Sequence, residues 1–260
     1  MLKFAANIGW MYTELPMAER FQAAKGHGFK AVECPLFYEF EPAQLADWHG
    51  EAGLAFIMFN APPGDMAAGE YGISGLPGRE VEFQDSIATA LIYAKALGSQ
   101  AIHVLAGIVP DGESRERCFE TYVANLKWAA AACAAEGAGV LIEPINTIER
   151  PGYLTTLTRE ARAAVDAVSD ENLGIQFDFH NAQLMEGRLT EALEQNIDVI
   201  RHMQIAGVPG RTPPDMNEMN YPYLFGVIER LGYEGWIGCE YCPPAATGDS
   251  LGWAKAYGIG

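Results

Sequence analysis

The chain has 260 residues, 49% of them apolar, so folding can bury roughly three quarters of the surface an unfolded chain would expose, which excludes disorder as the general state. Seventeen basic residues against thirty-four acidic ones give a net charge of −17, which repels phosphate backbones and anionic lipid and argues against nucleic-acid or membrane partners. No apolar run reaches the ~20 uncharged residues of a membrane helix, and MLKFAANIGW lacks the order of a signal peptide, so the expected location is the cytoplasm. Five cysteines, an odd number in a chain too large for a disulfide scaffold, fit free thiols.

In chain order, short β-branched or aromatic runs alternate with helical patterns, joined by Gly, Pro or Asn. The predicted strands are FAANI (4–8), AVEC (31–34), AFIMFN (55–60), AIHVLA (101–106), VLIEPI (140–145), GIQFDF (174–179), HMQIAG (202–207) and WIGCEY (236–241). The predicted helices include PMAERFQAAKG, PAQLADWHGEAG, 80–97, 114–136 and TLTREARAAVDAV, whose apolar residues recur three and four apart. Gly26, Gly53, Gly98 and Gly137 stand at helix ends. Eight units of about 32 residues match a (β/α)8 TIM barrel, an α/β fold, as a single domain over 1–260. A doubly wound open sheet is disfavoured, because the first strand-to-helix turn, NIGWMYTE, carries no glycine-rich phosphate spacing.

A strand covered on both faces is nearly all apolar, so a carboxylate within one demands a partner. Glu143, Asp178, Gln204 and Glu240 break that rule near the C-terminal ends of four consecutive late strands, at separations of 35, 26 and 36 residues. A barrel brings them to its catalytic rim. Three carboxylates gathered there repel one another unless a cation intervenes, and with an amide oxygen they make an all-oxygen donor set suited to Mg²⁺ or Mn²⁺ rather than zinc. Any one buried glutamate reads equally well as a salt-bridged structural residue; the repeat over four units favours a metal site.

Six segments carry a resemblance over nearly the whole chain: FNAPPGDMAAGEYGISGLPGRE (59–80), HVLAGIVP (103–110), LIEPINTIERPGYL (141–154), HMQIAGVPGR (202–211), EMNYPYLF (218–225) and GYEGWIGCEY (232–241). The sequence resembles the hydroxypyruvate isomerase family, which includes the 2-oxo-tetronate isomerases and belongs to the xylose-isomerase-like barrels. The resemblance implies that Glu143 and Glu240 are the glutamates that move the proton, and that Glu143, Asp178, Gln204 and Glu240 are the divalent-metal ligands. It implies a metal-dependent aldose–ketose isomerisation of a small hydroxy or oxo acid through a cis-enediolate, from hydroxypyruvate to tartronate semialdehyde or on a 2-oxo-tetronate. Two alternatives use the same pocket: a ketose 3-epimerase, and a non-catalytic sugar-acid binding protein. A barrel nuclease is opposed by the charge. The partner expected is therefore a small molecule, with homo-oligomerisation left open.

Further substrate-binding candidates are His103 within the fourth strand, Arg211 beyond the seventh, and the pair His180 and Asn181. The family usually reads Asp-x-Tyr/Phe-His-x-Gln after the metal aspartate, whereas this chain reads DFHNAQ. Asn181 thus takes the usual histidine position, and His180, on the same strand face as Asp178, is the candidate replacement. In CEYCPP, Cys242 stands where relatives often carry lysine, so a positive charge at the rim is lost. His202, deeper on the face of Gln204, reads as packing or support. The Gly/Pro-rich connection 60–80 reads as a lid or a mobile surface loop. A redox role for Cys239 and Cys242 is disfavoured, since residues three apart on a strand face opposite ways.

Overall fold

The computed structural model describes residues 1–260. Its strands are β1 (Lys3–Asn7), β2 (Ala31–Glu33), β3 (Ala55–Phe56), β4 (Met58–Asn60), β5 (Ala101–His103), β6 (Gly139–Ile142), β7 (Leu173–Asp178), β8 (Ile200–Ile205) and β9 (Trp236–Cys239). The helices are α1 (Met17–Gly26), α2 (Pro42–Ala52), α3 (Glu80–Leu97), α4 (Arg115–Ala135), α5 (Thr158–Val168), α6 (Phe179–Met185), α7 (Leu189–Asn196) and α8 (Tyr221–Arg230). All ladders are parallel, in the order β3-β2-β1-β9-β8-β7-β6-β5-β4.

Only Ile57 separates β3 from β4, and it joins the two ends of that order. Ile57 N donates to Val32 O at 2.9 Å, and Ala101 N donates to Ile57 O at 3.0 Å. The run 55–60 is therefore one bent strand that pairs with β2 through its first half and β5 through its second, and the sheet closes as the (β/α)8 TIM barrel that the alternation predicted.

Parallel strands wrapped by helices must be apolar outward, and the two-residue period then decides what points inward. Phe4, Ala6, Val32, Val140 and Ile142 face the helices and join a core of 67 buried residues running from Leu2 to Ile259. The alternate positions Ala5, Ala31, Ile57 and Leu141 pack separately inside the barrel. One step further along, the same inward phase passes from small apolar residues to Asn7, Glu33, Glu143, Gln176, Asp178, Gln204 and Glu240.

The strands end earlier than predicted. Pro144 has no N–H to donate, so β6 stops at Ile142, and β5 and β9 stop at His103 and Cys239 as the chain turns into the rim loops. Gly53 and Gly98 close α2 and α3 with φ of 66° and 61°. Gly26 is instead the last helical residue of α1, and the positive φ falls on Gly28.

Candidate active site

At the C-terminal rim a cavity of about 290 Å³ is lined by Glu143, Glu240, His103, Gln176, Asn181 and Arg211, together with Trp10, Asn60, Met66, Tyr71, Glu149 and Arg150. Glu143 and Glu240 lie one residue past β6 and β9, three strands apart around the barrel. Asp178 and Gln204, 2% and 1% exposed, lie below the lining and support it.

The side chains form one network. Asn181 Nδ2 donates to Glu143 Oε1 at 2.8 Å and to Asp178 Oδ2 at 2.9 Å. Gln176 Nε2 donates to Glu143 Oε2 at 3.0 Å and to Gln204 Oε1 at 2.7 Å. Gln204 Nε2 reaches Glu33 Oε1 at 2.7 Å and Glu240 Oε1 at 3.2 Å, and Asn7 Nδ2 bridges the same two carboxylates at 2.9 and 3.1 Å. Arg211 Nη1 donates to Glu240 Oε2 at 2.8 Å and Asp178 Oδ2 at 3.2 Å, while Nη2 reaches Glu149 Oε2 at 3.3 Å. The Arg211 guanidinium also lies 5.2 Å from the centre of the Trp10 ring.

Burial and mutual repulsion govern protonation here. Burial holds the Glu143 carboxyl well above the usual carboxylate range, and Asp178 and Glu240 push it the same way against Arg211 and Asn181. Burial lifts Glu240 to about 8; Arg211 opposes the rise, while Asp178, Glu33 and Glu149 add to it. Glu149 is drawn down to about 2, first by its hydrogen bond with His180 and then by Arg211, with burial opposing. Burial, helped by His202, lowers His103 to about 3, so its imidazole is neutral. His103 Nδ1 bonds Asn60 Oδ1 at 2.9 Å, leaving Nε2 without a hydrogen bond 3.7 Å from Glu143 Oε2.

The structure gathers Glu143, Asp178, Gln204, Glu240, His103, Asn181 and Arg211 at this rim, but not His180. Helix α6 begins at Phe179, so strand alternation ends at Asp178, whose side chain caps the helix by accepting from His180 N at 2.9 Å. The His180 ring turns away from the four expected metal ligands, with Nδ1 3.0 Å from Gly207 O and Nε2 3.2 Å from Glu149 Oε1, and does not line the cavity. Its contact is with Glu149, which also accepts from Arg211 Nη2. Arg211, held at φ 52°, lines the cavity but spends both terminal nitrogens on carboxylates.

Several residues escaped sequence reasoning. Glu33, fully buried, bonds His202 Nε2 at 2.6 Å as well as Asn7 and Gln204, so His202 serves as support. A polar residue inside an apolar strand was the available signal for Asn7, Glu33 and Gln176. Glu149 and Arg150 lie in the β6–α5 loop, where no period points to them. The connection 60–80 is pinned: Ser74 Oγ donates to Leu105 O at 2.7 Å, Asn125 Nδ2 to Ser74 O at 2.8 Å, and Gly72 bridges Ala106. Met66 and Tyr71 from this strap line the cavity.

As donors, the Glu143, Asp178 and Glu240 carboxylates and the Gln204 amide fit a hard divalent cation by chemistry, and burial together with the neighbouring acids raises Glu143 and Glu240. No three acidic or imidazole groups converge at metal-binding spacing in the arrangement seen, in which Arg211 Nη1 joins Asp178 to Glu240.

Residues 21–257 match the xylose isomerase-like TIM barrel family. The chain is 49% identical to the 2-oxo-tetronate isomerase of Cupriavidus necator over 99% of each chain. It is 43% identical to the hydroxypyruvate isomerase of Escherichia coli over 99% of this chain and 100% of that one. The chain belongs to the hydroxypyruvate isomerase family. As a member it is an isomerase, on the barrel expected for that family. The crystal structure of a Brucella melitensis protein named as an AP endonuclease of family 2, 43% identical, has a TM-score of 0.96 with 99% of each chain covered. No helix is long and apolar enough to cross a membrane.

Proposed function

We propose that the protein isomerises a small hydroxy or oxo acid, hydroxypyruvate to tartronate semialdehyde or a 2-oxo-tetronate, by proton transfer through a cis-enediolate. The observation that carries this reading is the pair of carboxyls, Glu143 and Glu240, lining one cavity from strands three apart, with both proton affinities raised by burial. A carboxyl whose proton affinity is raised can both take and return a proton, whereas an ordinary exposed one holds it poorly.

In the forward direction on hydroxypyruvate, one glutamate takes a proton from C3 as that C–H pair becomes the C2–C3 double bond of the enediolate. A proton is then delivered to C2, and the hydroxyl proton passes from O3 to O2. Neutral His103, its Nε2 free toward Glu143, is placed to accept a hydrogen bond from the protonated carboxyl or from a substrate hydroxyl. Asn181 and Gln176 hold the two Glu143 oxygens, and Arg211, Asn7 and Gln204 hold those of Glu240, so each carboxyl meets the substrate in a fixed orientation. Mg²⁺ or Mn²⁺, held by Glu143, Asp178, Gln204 and Glu240, would supply Lewis acidity to the carbonyl and hydroxyl oxygens of the substrate. An endonuclease role fits poorly with a net charge of −17 and a cavity lined by Glu143, Glu149 and Glu240.

The test is proton NMR in D₂O with metal-stripped and Mg²⁺- or Mn²⁺-loaded protein on hydroxypyruvate, 2-oxo-tetronates and neutral ketoses. Metal-dependent product with solvent deuterium on carbon supports the reading. Turnover of neutral ketoses alone supports the epimerase, and binding without product or label supports a binding protein.

A further inference from the structure

Resting on the oxo-acid reading above, we propose that Arg150 is the residue that recognises the substrate carboxylate and so sets the preference for acids over neutral sugars. An anionic substrate faces a cavity lined by Glu143, Glu149 and Glu240, with Asp178 beneath. Only two cations line that cavity, Arg150 and Arg211. Arg211 is committed to Glu240, Asp178 and Glu149 and would have to surrender one of them to hold a substrate. Arg150 takes part in no ion pair.

Its placement suits the task. The guanidinium stacks over Tyr71, 4.1 Å from the ring centre, and Nη1 donates to Glu149 O at 2.8 Å. Those two contacts fix the plane of the group and leave Nη2 and Nε without a protein acceptor. Two parallel N–H donors on a planar, pre-oriented fork are what a carboxylate binds bidentately. Tyr71 comes from the pinned 60–80 strap and Arg150 from the β6–α5 loop, so the carboxylate site lies where two rim loops meet above the Glu143 strand end. Arg150 also restores a positive charge to a rim that has Cys242, not lysine, after Tyr241.

The experiment compares wild type, Arg150→Ala and Arg150→Lys by calorimetric titration with tartronate, a non-reacting dicarboxylate, and by steady-state isomerisation of hydroxypyruvate. Losing a charge-assisted fork is expected to raise both the tartronate Kd and the KM about 10- to 100-fold in Arg150→Ala, with kcat within about threefold and Arg150→Lys in between. Unchanged Kd and KM in a folded Arg150→Ala overturns the assignment, as does a loss confined to kcat. Failure of wild type to isomerise any oxo acid would defeat the isomerase reading alone, because the tartronate titration still decides whether Arg150 binds carboxylates.

Discussion

Arg211 Nη1 donates to Glu240 Oε2 at 2.8 Å, tying a buried guanidinium to one of the two carboxyls that face the cavity. The same nitrogen reaches Asp178 Oδ2 at 3.2 Å, so one cation partly neutralises two acids from strands β7 and β9, across the intervening β8. It opposes, without cancelling, the burial that lifts Glu240 to about 8. Arg211→Ala would leave both carboxylates buried without their cation. The expected cost is about 3–5 kcal/mol of stability in chelator-treated protein, read by urea denaturation, with Arg211→Lys recovering only part because a point charge cannot span both acids as a guanidinium does. A loss under about 1 kcal/mol would mean that the pair contributes little to the fold.

Glu240→Gln nearly preserves shape and keeps an oxygen for Arg211, so the fold should survive while the proton-transfer group is lost. The expected result is a fall in kcat of about 10²- to 10⁴-fold, with no solvent deuterium entering product. Glu143→Gln should behave alike. Full activity in either variant would remove that residue from the acid/base pair.

Stripping the protein with a chelator and restoring Mg²⁺ or Mn²⁺ should raise the melting temperature in step with metal concentration, since ligand binding to the native state stabilises it by mass action. Asp178→Asn should weaken that response, and it alters the acceptor shared by the Asn181 and Arg211 side chains. A melting temperature indifferent to both metals would leave the carboxylate cluster with Arg211 as its cation.

The barrel was legible because helices cover its strands and force them to be apolar, leaving Glu143, Asp178, Gln204 and Glu240 conspicuous. Glu33 in AVEC and Gln176 in GIQFDF carried the same signal, but the reading took one polar residue from each of the four late strands and passed over both. His180 was misplaced by extending strand alternation two residues beyond Asp178, where the helix had already begun. Glu149 and Arg150 were invisible for a different reason: a rim loop has no period, and their roles come from contacts with Arg211, His180 and Tyr71 that only the closed barrel creates.

His103 gives a pH prediction with a definite sign. Its folded pKa is lowered from 6.5 to about 3, chiefly by burial, so below pH 6.5 the unfolded chain binds a proton that the native state refuses. Its contribution to stability is therefore fully present above pH 6.5 and is lost as pH falls toward 3, at up to about 1.4 kcal/mol per pH unit. Imidazole resonances followed between pH 5 and 8 should show no titration of His103; a midpoint near 6.5 would contradict the neutral ring facing Glu143.

Gly238 supplies a test of how closely the inner network is fitted. A Cβ built there would lie 2.2 Å from Glu33 Oε1 and 2.3 Å from Oε2, so the carboxylate rests directly on the glycine. Glu33 cannot withdraw freely, because His202, Gln204 and Asn7 hold it at 2.6, 2.7 and 2.9 Å. Gly238→Ala must therefore displace the carboxylate, and with it the Asn7 and Gln204 amides that also orient Glu240. Overpacking of this kind costs about 1–3 kcal/mol, and a fall in kcat should accompany it even though neither Gly238 nor Glu33 lines the cavity. Urea denaturation of Gly238→Ala, Glu33→Ala and the double variant checks the cause. If the clash is with Glu33, the double variant should be more stable than the sum of the single losses predicts; simple additivity would show that the added methyl disturbs the barrel some other way.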